Sequence, residues 1–74
     1  MKEIDLNLFS ERLKELRNEK KLTTIQLAKK LGVSDASVSR WENQLRIPTI
    51  ANLYKMALFF DVSADYLIGL EDLF

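Results

Sequence analysis

Helix-capping residues recur along the chain and divide it into short segments, each with apolar residues at helical spacing. The candidates are Asn7, Thr23, Ser34, Thr49 and Ser63. Side chains of this kind accept hydrogen bonds from the N–H groups that the first helical turn leaves unpaired, so each candidate predicts a helix start. No segment has the alternation and turn residues of a β-hairpin. The sequence therefore predicts an all-α fold with five short helices.

The first half of the chain contains three of these predicted helices, at 8–20, 24–31 and 35–43. Thr23 and Gln26 can form a capping box at the start of the second helix, in which each side chain binds the other residue's backbone N–H. Gly32 is expected to end that helix because glycine tolerates the left-handed backbone conformation. Val38 and Trp41 share a helical phase and define the buried side of the third helix.

The second half begins with an extended link and a fourth helix. Pro48 disfavours helical geometry in the residue before it, and Thr49 then caps the helix. The apolar residues expected to be buried in this helix are Ile50, Leu53, Ala57, Leu58 and Phe60.

A last short helix is predicted after Ser63. It carries Tyr66 and Leu67 inward and stops near Gly69. The remaining parts of the single domain 1–74 are an N-terminal arm at 1–6 and a C-terminal tail at 70–74.

Cysteine and histidine are both absent from the 74 residues, which excludes several kinds of chemistry. There can be no disulfide, no thiolate nucleophile and no ordinary zinc site. Without a carboxylate pair or a glycine-rich phosphate loop, the chain is not expected to be an enzyme, to hold a cofactor or metal, or to act on a small-molecule substrate. No apolar run approaches the roughly 20 residues of a membrane span, so we expect a cytoplasmic protein without a membrane partner.

Charge is unevenly distributed along the chain although its sum is zero. Residues 10–56 contain ten bases and five acids, an excess of five positive charges, whereas residues 57–74 contain acids only. This asymmetry can steer a polyanion onto one surface. Solvated helix faces followed by an acidic tail would explain the same charges about as well.

The outward side of the predicted third helix is small and nearly uncharged. The residues opposite its buried side are Ala36, Ser39, Arg40 and Asn43. A helix enters the major groove of DNA, about 12 Å wide, only when its outward side chains permit close approach and can bind base edges. Arg40 supplies the fork that pairs with guanine O6 and N7, and Ala36 can contact a thymine methyl group. The pattern favours DNA recognition, with a merely solvated Arg40 as the alternative.

The segment TTIQLAKKLGVSDASVSRWEN resembles the helix-turn-helix of the phage Cro and repressor family, the XRE-type transcriptional regulators. The resemblance extends over about residues 9–69 and includes the strings LGVS, VSRWEN and VSADYLIGL. Ala28 is the small residue where the two helices touch, and Gly32 makes the turn. The apolar residues that set the helix crossing are Leu27, Val33, Val38 and Trp41. The resemblance implies a compact five-helix lambda-repressor-like DNA-binding domain.

A set of DNA contacts is also implied by this resemblance. The base-reading residues would be Asp35, Ala36, Ser37, Ser39 and Arg40, on a recognition helix in the major groove. The phosphate contacts would be Thr23, Thr24, Asn43 and Arg46. Asp35 either accepts from cytosine N4 or only places a favourable charge at the helix N-terminus, which is the simpler role. Glu42 would form a structural ion pair with Arg17 of the first helix.

Two residues depart from the family pattern. Thr24 stands where the family usually has Gln, whose longer side chain reaches the DNA backbone or a base. Gln44 stands where the family usually has Gly. A left-handed Gln is strained by roughly 1 kcal/mol, so either the end of the third helix is rearranged or stability is lost there.

These features predict a sequence-specific regulator, a repressor or Cro-like protein, that binds a palindromic double-stranded DNA operator as a homodimer. The apolar surface after Ser63 exceeds what one short helix can bury, which predicts a dimer interface there. The interface residues would be Leu67, Ile68, Leu70, Leu73 and Phe74, with help from the N-terminal arm. In the alternative arrangement, the tail covers its own core and the chains pair only on DNA. The alternative function is a protein-interaction module with the same fold, such as an antitoxin or regulatory subunit.

Overall fold

Five α-helices form the regular structure of residues 3–71, the part of the chain that the computed structural model describes. They are α1 (Leu6–Glu19), α2 (Thr24–Leu31), α3 (Asp35–Glu42), α4 (Ile50–Phe60) and α5 (Ala64–Ile68). No strand occurs within this range. The all-α prediction with five helices is therefore confirmed.

Four of the five predicted helix starts are capped as the sequence indicates. The side chains of Thr23, Ser34, Thr49 and Ser63 each accept a hydrogen bond from the backbone N–H three residues later. The capping box is complete, since the Gln26 side chain also accepts from the backbone N–H of Thr23 at 2.9 Å. Each such cap contributes about 1 kcal/mol to helix stability.

The start of α1 differs from the prediction. Asp5 is the cap, because its Oδ1 accepts from the backbone N–H of Leu8 at 3.1 Å. Asn7, the predicted cap, lies inside the helix instead. The helix therefore begins at Leu6, so Leu6 is not part of an extended arm.

The core is built from all five helices. Its buried apolar residues are Phe9, Leu13, Leu16, Leu27, Ala28, Leu31, Val38, Trp41, Met56, Phe60, Tyr66 and Leu67. Val38 and Trp41 are 0% and 2% exposed, so the predicted buried side of α3 is confirmed. Complete burial of one large apolar side chain stabilises a fold by about 1.5–3 kcal/mol. These two residues anchor α3 and fix which of its sides faces outward.

The predicted buried face of α4 is partly wrong. Ile50 is 88% exposed and Leu58 is 64% exposed, whereas Met56 is completely buried. Phe60 is buried as expected, and Leu53 packs against the core. Helix α4 therefore has two apolar sides: the side with Met56 and Phe60 packs into the core, and the side with Ile50 and Leu58 faces solvent.

The residues of the predicted C-terminal dimer interface differ in their exposure. Leu67 is completely buried in the core, so its side chain is not available to another chain. Ile68 is half-buried, and of the described interface candidates only Leu70 is well exposed, at 73%. Leu73 and Phe74 lie outside the described residues. The surplus apolar surface expected at this end is thus reduced by the packing of α5.

Candidate nucleic-acid interface

The outward side of α3 is open to solvent at the positions that the sequence singles out. Asp35, Ala36 and Arg40 are exposed, and Ser37 and Ser39 are half-buried. No hydrogen bond or ion pair joins the Arg40 guanidinium to another residue of the range 3–71. Its five N–H donors are therefore available to a partner molecule.

Two of the predicted base-reading residues already hydrogen-bond within the chain. The hydroxyl of Ser37 lies 2.9 Å from that of Ser34, which also caps α3. The Ser39 hydroxyl accepts from the side chain of Asn43 at 3.3 Å. Each hydroxyl can both donate and accept, so these contacts leave capacity for a base edge.

The turn between α2 and α3 holds the two helices in contact. Gly32 ends α2 with a left-handed backbone, φ 70°, as predicted. Ala28 is buried, and its carbonyl accepts from the backbone N–H of Val33 at 3.0 Å. A small side chain at Ala28 lets the helices approach closely, so α3 emerges from the turn at a defined angle.

A bidentate ion pair attaches α3 to α1. The Nε of Arg17 lies 2.7 Å from Oε2 of Glu42, and its Nη2 lies 2.9 Å from Oε1. The hydrogen bonds to Glu42 raise the pKa of Arg17, and Coulomb attraction adds to them against the effect of desolvation. Arg17 also donates through Nη1 to the carbonyl of Leu22 at 2.8 Å. One side chain thus connects α1, the α1–α2 link and the end of α3.

Two further polar contacts join the same helices. The hydroxyl of Ser10, which is buried, donates to the carbonyl of Trp41 at 2.6 Å. The Nε2 of Gln44 donates to Oδ1 of Asn7 at 2.8 Å. We call these contacts and the ion pair together the α1–α3 clamp; its residues are Asn7, Ser10, Arg17, Trp41, Glu42 and Gln44. The α1 members recur at positions 7, 10 and 17, so they follow one side of α1.

Gln44 adopts the left-handed conformation with φ 62°. The end of α3 therefore keeps the geometry that the family pattern needs, and the expected backbone strain of roughly 1 kcal/mol remains. Its bond to Asn7 offsets part of that strain, since a hydrogen bond contributes about 1 kcal/mol. The sequence did not reveal this contact, because Asn7 had a competing interpretation as a helix cap.

The predicted phosphate-contact residues lie at two places in the chain. Thr23 and Thr24 stand at the start of α2, where the first backbone N–H groups have no intrahelical partner. Arg46 is exposed in the segment after α3. Asn43 caps the end of α3, but its Nδ2 donates to the carbonyl of Ser39 at 2.8 Å. A phosphate contact from Asn43 would require that side chain to turn.

Residues 3–71 contain neither a metal-binding cluster nor a membrane-spanning helix. No group of three or more His, Cys, Asp or Glu side chains is arranged to hold a metal ion in that range. None of its helices has the length and apolar character needed to cross a membrane.

Comparison with known proteins shows sequence similarity over most of the chain. Residues 13–67 match the Helix-turn-helix family. The chain is 38% identical over 65 residues to YobD of Bacillus subtilis, an uncharacterized HTH-type transcriptional regulator, covering 88% of this chain and 58% of YobD. It is 40% identical over 65 residues to the HTH-type transcriptional activator BcrR of Enterococcus faecalis, covering 88% and 32%. The chain therefore spans less than two thirds of either relative.

The three-dimensional arrangement is similar to that of a repressor solved on DNA. The P22 c2 repressor, in complex with a synthetic operator, superposes with a TM-score of 0.81 at 31% identity. The match covers 86% of this chain and 97% of the repressor chain. The similarity thus extends well beyond the two helices of the central motif.

Proposed function

The chain belongs to the helix-turn-helix family of transcriptional regulators, and from this premise we propose that it binds a palindromic DNA operator as a homodimer. The matched family and relatives are regulators of transcription and not enzymes, as the sequence predicts. Its place of action is then the cytoplasm, where bacterial DNA lies. The similarity to the P22 c2 repressor favours a repressor or Cro-like role.

The outward side of α3 is the observation that carries this proposal. An α-helix with its side chains measures about 10–12 Å across, and the major groove is about 12 Å wide. Close approach to base edges therefore needs short outward side chains, such as Ala36 and Ser39. Burial of Val38 and Trp41 directs this side away from the core. The α1–α3 clamp then holds the helix at one angle to the rest of the domain.

Base reading is assigned mainly to Arg40. A guanidinium without a partner in the described chain can donate two parallel hydrogen bonds to guanine O6 and N7. Ala36 offers a methyl contact to thymine, while Ser37 and Ser39 donate or accept at neighbouring base edges. Asp35 is exposed at the first position of α3, so it can accept from cytosine N4.

Phosphate binding is assigned to the start of α2 and to the segment after α3. The N-terminus of a helix attracts anions through its free N–H groups and its dipole. The Thr23 hydroxyl accepts from Gln26 N–H at 3.1 Å and can still donate its own proton to a phosphate oxygen. Thr24 is half-buried, and its side chain is shorter than the Gln that the family usually has at this position. We therefore assign the phosphate contact at Thr24 mainly to its backbone N–H. Arg46 supplies a charge, and Asn43 joins this set only after turning away from Ser39.

Selection of DNA from a random pool by the purified 74-residue chain tests the proposal. We expect enrichment of a palindrome whose half-site centres lie about 34 Å apart, one helical turn of DNA. The logarithm of the binding constant should fall by about 0.9 per contacted phosphate for each tenfold rise in salt. A chain that enriches no sequence, shows no salt-sensitive binding and coprecipitates a toxin or kinase would instead be a protein-interaction module.

A further inference from the structure

The first turn of α1 lies against the segment that follows α3. The Nε2 of Gln44 donates to Oδ1 of Asn7 at 2.8 Å. Both residues are exposed, so this contact lies on the surface of the domain and not in its core. Gln44 directly follows Asn43 and precedes Arg46 by two positions. The contact therefore joins Asn7 to the segment that contains two of the proposed phosphate contacts.

The direction of this bond determines which atoms of Asn7 remain available. Because Oδ1 accepts from Gln44, the Nδ2 on the other branch of the same amide keeps both of its N–H donors. No further hydrogen bond joins the Asn7 side chain to another residue of the range 3–71. Asn7 thus presents an oriented and unpaired hydrogen-bond donor beside the segment after α3.

We propose that Asn7 binds a phosphate of the DNA backbone through Nδ2, with Gln44 as the residue that positions it. This inference rests on DNA binding in the proposed function, and it adds the start of α1 to the residues that touch DNA. Asparagine is among the side chains that bind phosphate oxygens in protein–DNA complexes. A side chain that is already held in one orientation also loses less conformational entropy on binding than a free one.

The other contacts of the α1–α3 clamp hold the start of α1 close to the recognition helix. Ser10 lies one turn after Asn7 and donates to the carbonyl of Trp41 at 2.6 Å, and Arg17 binds Glu42 further along α1. Helix α1 therefore moves together with α3. The N-terminal residues of a recognition helix reach the base edges, so its C-terminal end lies toward the rim of the groove, where the phosphates are. Asn7 follows that end of α3.

Exposed acids near Asn7 determine what kind of contact this is. Asp5 and Glu11 stand on either side of Asn7 in the sequence, and both are exposed. One oxygen of the Asp5 carboxylate accepts from the backbone N–H of Leu8. Like charges repel, so the two acids provide no attraction for phosphates at longer range. A short hydrogen bond from a neutral donor to one phosphate oxygen is the contact that these surroundings allow.

Asn7→Asp tests the inference, because aspartate keeps an oxygen for Gln44 and replaces the donor by a second charged oxygen. Binding should weaken by about 10-fold or more per half-site. The factor should be the same on operator and unrelated DNA, because a phosphate contact carries no sequence information. Stability should not fall, since an acid in the first turn of α1 suits the helix dipole. DNA competition measures the first two effects, and urea unfolding measures the third.

The matched control is Asn18→Asp, the same substitution at another exposed residue of α1. It changes the net charge equally, but it lies about three turns further along the helix, about 16 Å at 1.5 Å per residue. This is about twice the distance over which physiological salt screens a charge, so binding should change by less than about 2-fold. Equal losses in the two variants would show that only net charge matters and would overturn the inference.

Single methylphosphonate groups in the selected operator provide a readout that a merely structural role would not move. At one phosphate per half-site, the neutral group should weaken binding of the wild type but not of Asn7→Ala, because that variant has no donor left to lose. If every position that weakens the wild type weakens Asn7→Ala equally, Asn7 contacts no phosphate.

These outcomes separate the inference from the proposed function. A wild type that binds no DNA would overturn both. A wild type that binds an operator, with Asn7→Asp indistinguishable from Asn18→Asp, would overturn only the contact at Asn7.

Discussion

The outward side of α3 and the side of α4 that carries Ile50, Tyr54 and Leu58 are both uncovered helix faces, but their chemistry is opposite. The α3 side is short and polar, with Arg40 as its one long cation. This side of α4 is bulky and apolar, and its three residues are all more than 60% exposed. The two faces lie on helices that are consecutive along the chain.

This difference teaches what each face can recognise. The hydrogen-bonding face of α3 gains little from contact with an apolar surface, whereas base edges and phosphates can bind its donors. An apolar face gains by removal of its surface from water and offers nothing to a base edge. The α1–α3 clamp also supports only the first face, so the two should respond differently to the same substitutions.

Loss of Glu42 should have the largest effect and should separate the two faces. Glu42→Ala leaves the half-buried guanidinium of Arg17 without its carboxylate partner, so we expect a loss of about 1.5–3 kcal/mol in the free energy of unfolding. The misoriented α3 should also lose specific DNA binding, whereas α4, which takes no part in the α1–α3 clamp, should keep its helical structure in the folded fraction. Urea unfolding measures the loss of stability, and competition between operator and unrelated DNA measures the loss of specificity.

Glu15→Ala is the control for this prediction, because Glu15 is an exposed acid on α1; it should change stability by no more than about 0.5 kcal/mol. A double-mutant cycle of Arg17→Ala and Glu42→Ala should give a clear coupling energy. A coupling indistinguishable from zero would show that the ion pair does not hold α3 in place.

Arg40→Ala should act on the α3 face alone. We expect a loss of about 1–3 kcal/mol in operator binding and a relaxed preference at one base pair per half-site. Stability should not change, because no hydrogen bond or ion pair joins the side chain to another described residue. Lys30→Ala removes an exposed charge on α2. It should instead weaken binding slightly, and by the same factor on operator and unrelated DNA. An equal loss for Arg40→Ala on operator and unrelated DNA would make Arg40 a phosphate anchor.

The contact between Gln44 and Asn7 should show the smallest effect. Asn7→Ala removes the hydrogen bond but keeps the left-handed strain, so we expect a loss of about 1 kcal/mol. Gln44→Gly removes both the hydrogen bond to Asn7 and the left-handed strain, so its loss and its gain in the free energy of unfolding should nearly cancel. Asn7→Ala in the Gln44→Gly background should then have no effect on the urea midpoint. A full loss in that background would mean that Asn7 acts through some other contact.

Much of the fold could be predicted because helix ends depend on local chemistry. The caps at Thr23, Ser34, Thr49 and Ser63 and the left-handed Gly32 each involve residues within a few positions along the chain. The buried side of α3 was predictable for a similar reason. Val38 and Trp41 are its only large apolar residues, so its helical phase was not in question.

The start of α1 was harder to predict because two candidate caps stand two residues apart. Asp5 and Asn7 both have side chains that can accept from a first-turn N–H. Tertiary contacts decide between them, since Leu6 packs against the core and Asn7 binds Gln44. A residue 37 positions away therefore contributes to the choice of the cap.

The sequence by itself determined where the helices lie, how most of them end and which side of α3 faces outward. It could not determine the exposed side of α4, because nine of its eleven residues are apolar and no single phase stands out. Only packing against α2 and α5 selected Met56 and Phe60 for the core and left Ile50, Tyr54 and Leu58 in solvent. The same packing buried Leu67. Local hydrogen bonds can be read along the chain, whereas burial of one apolar face in preference to another depends on distant neighbours.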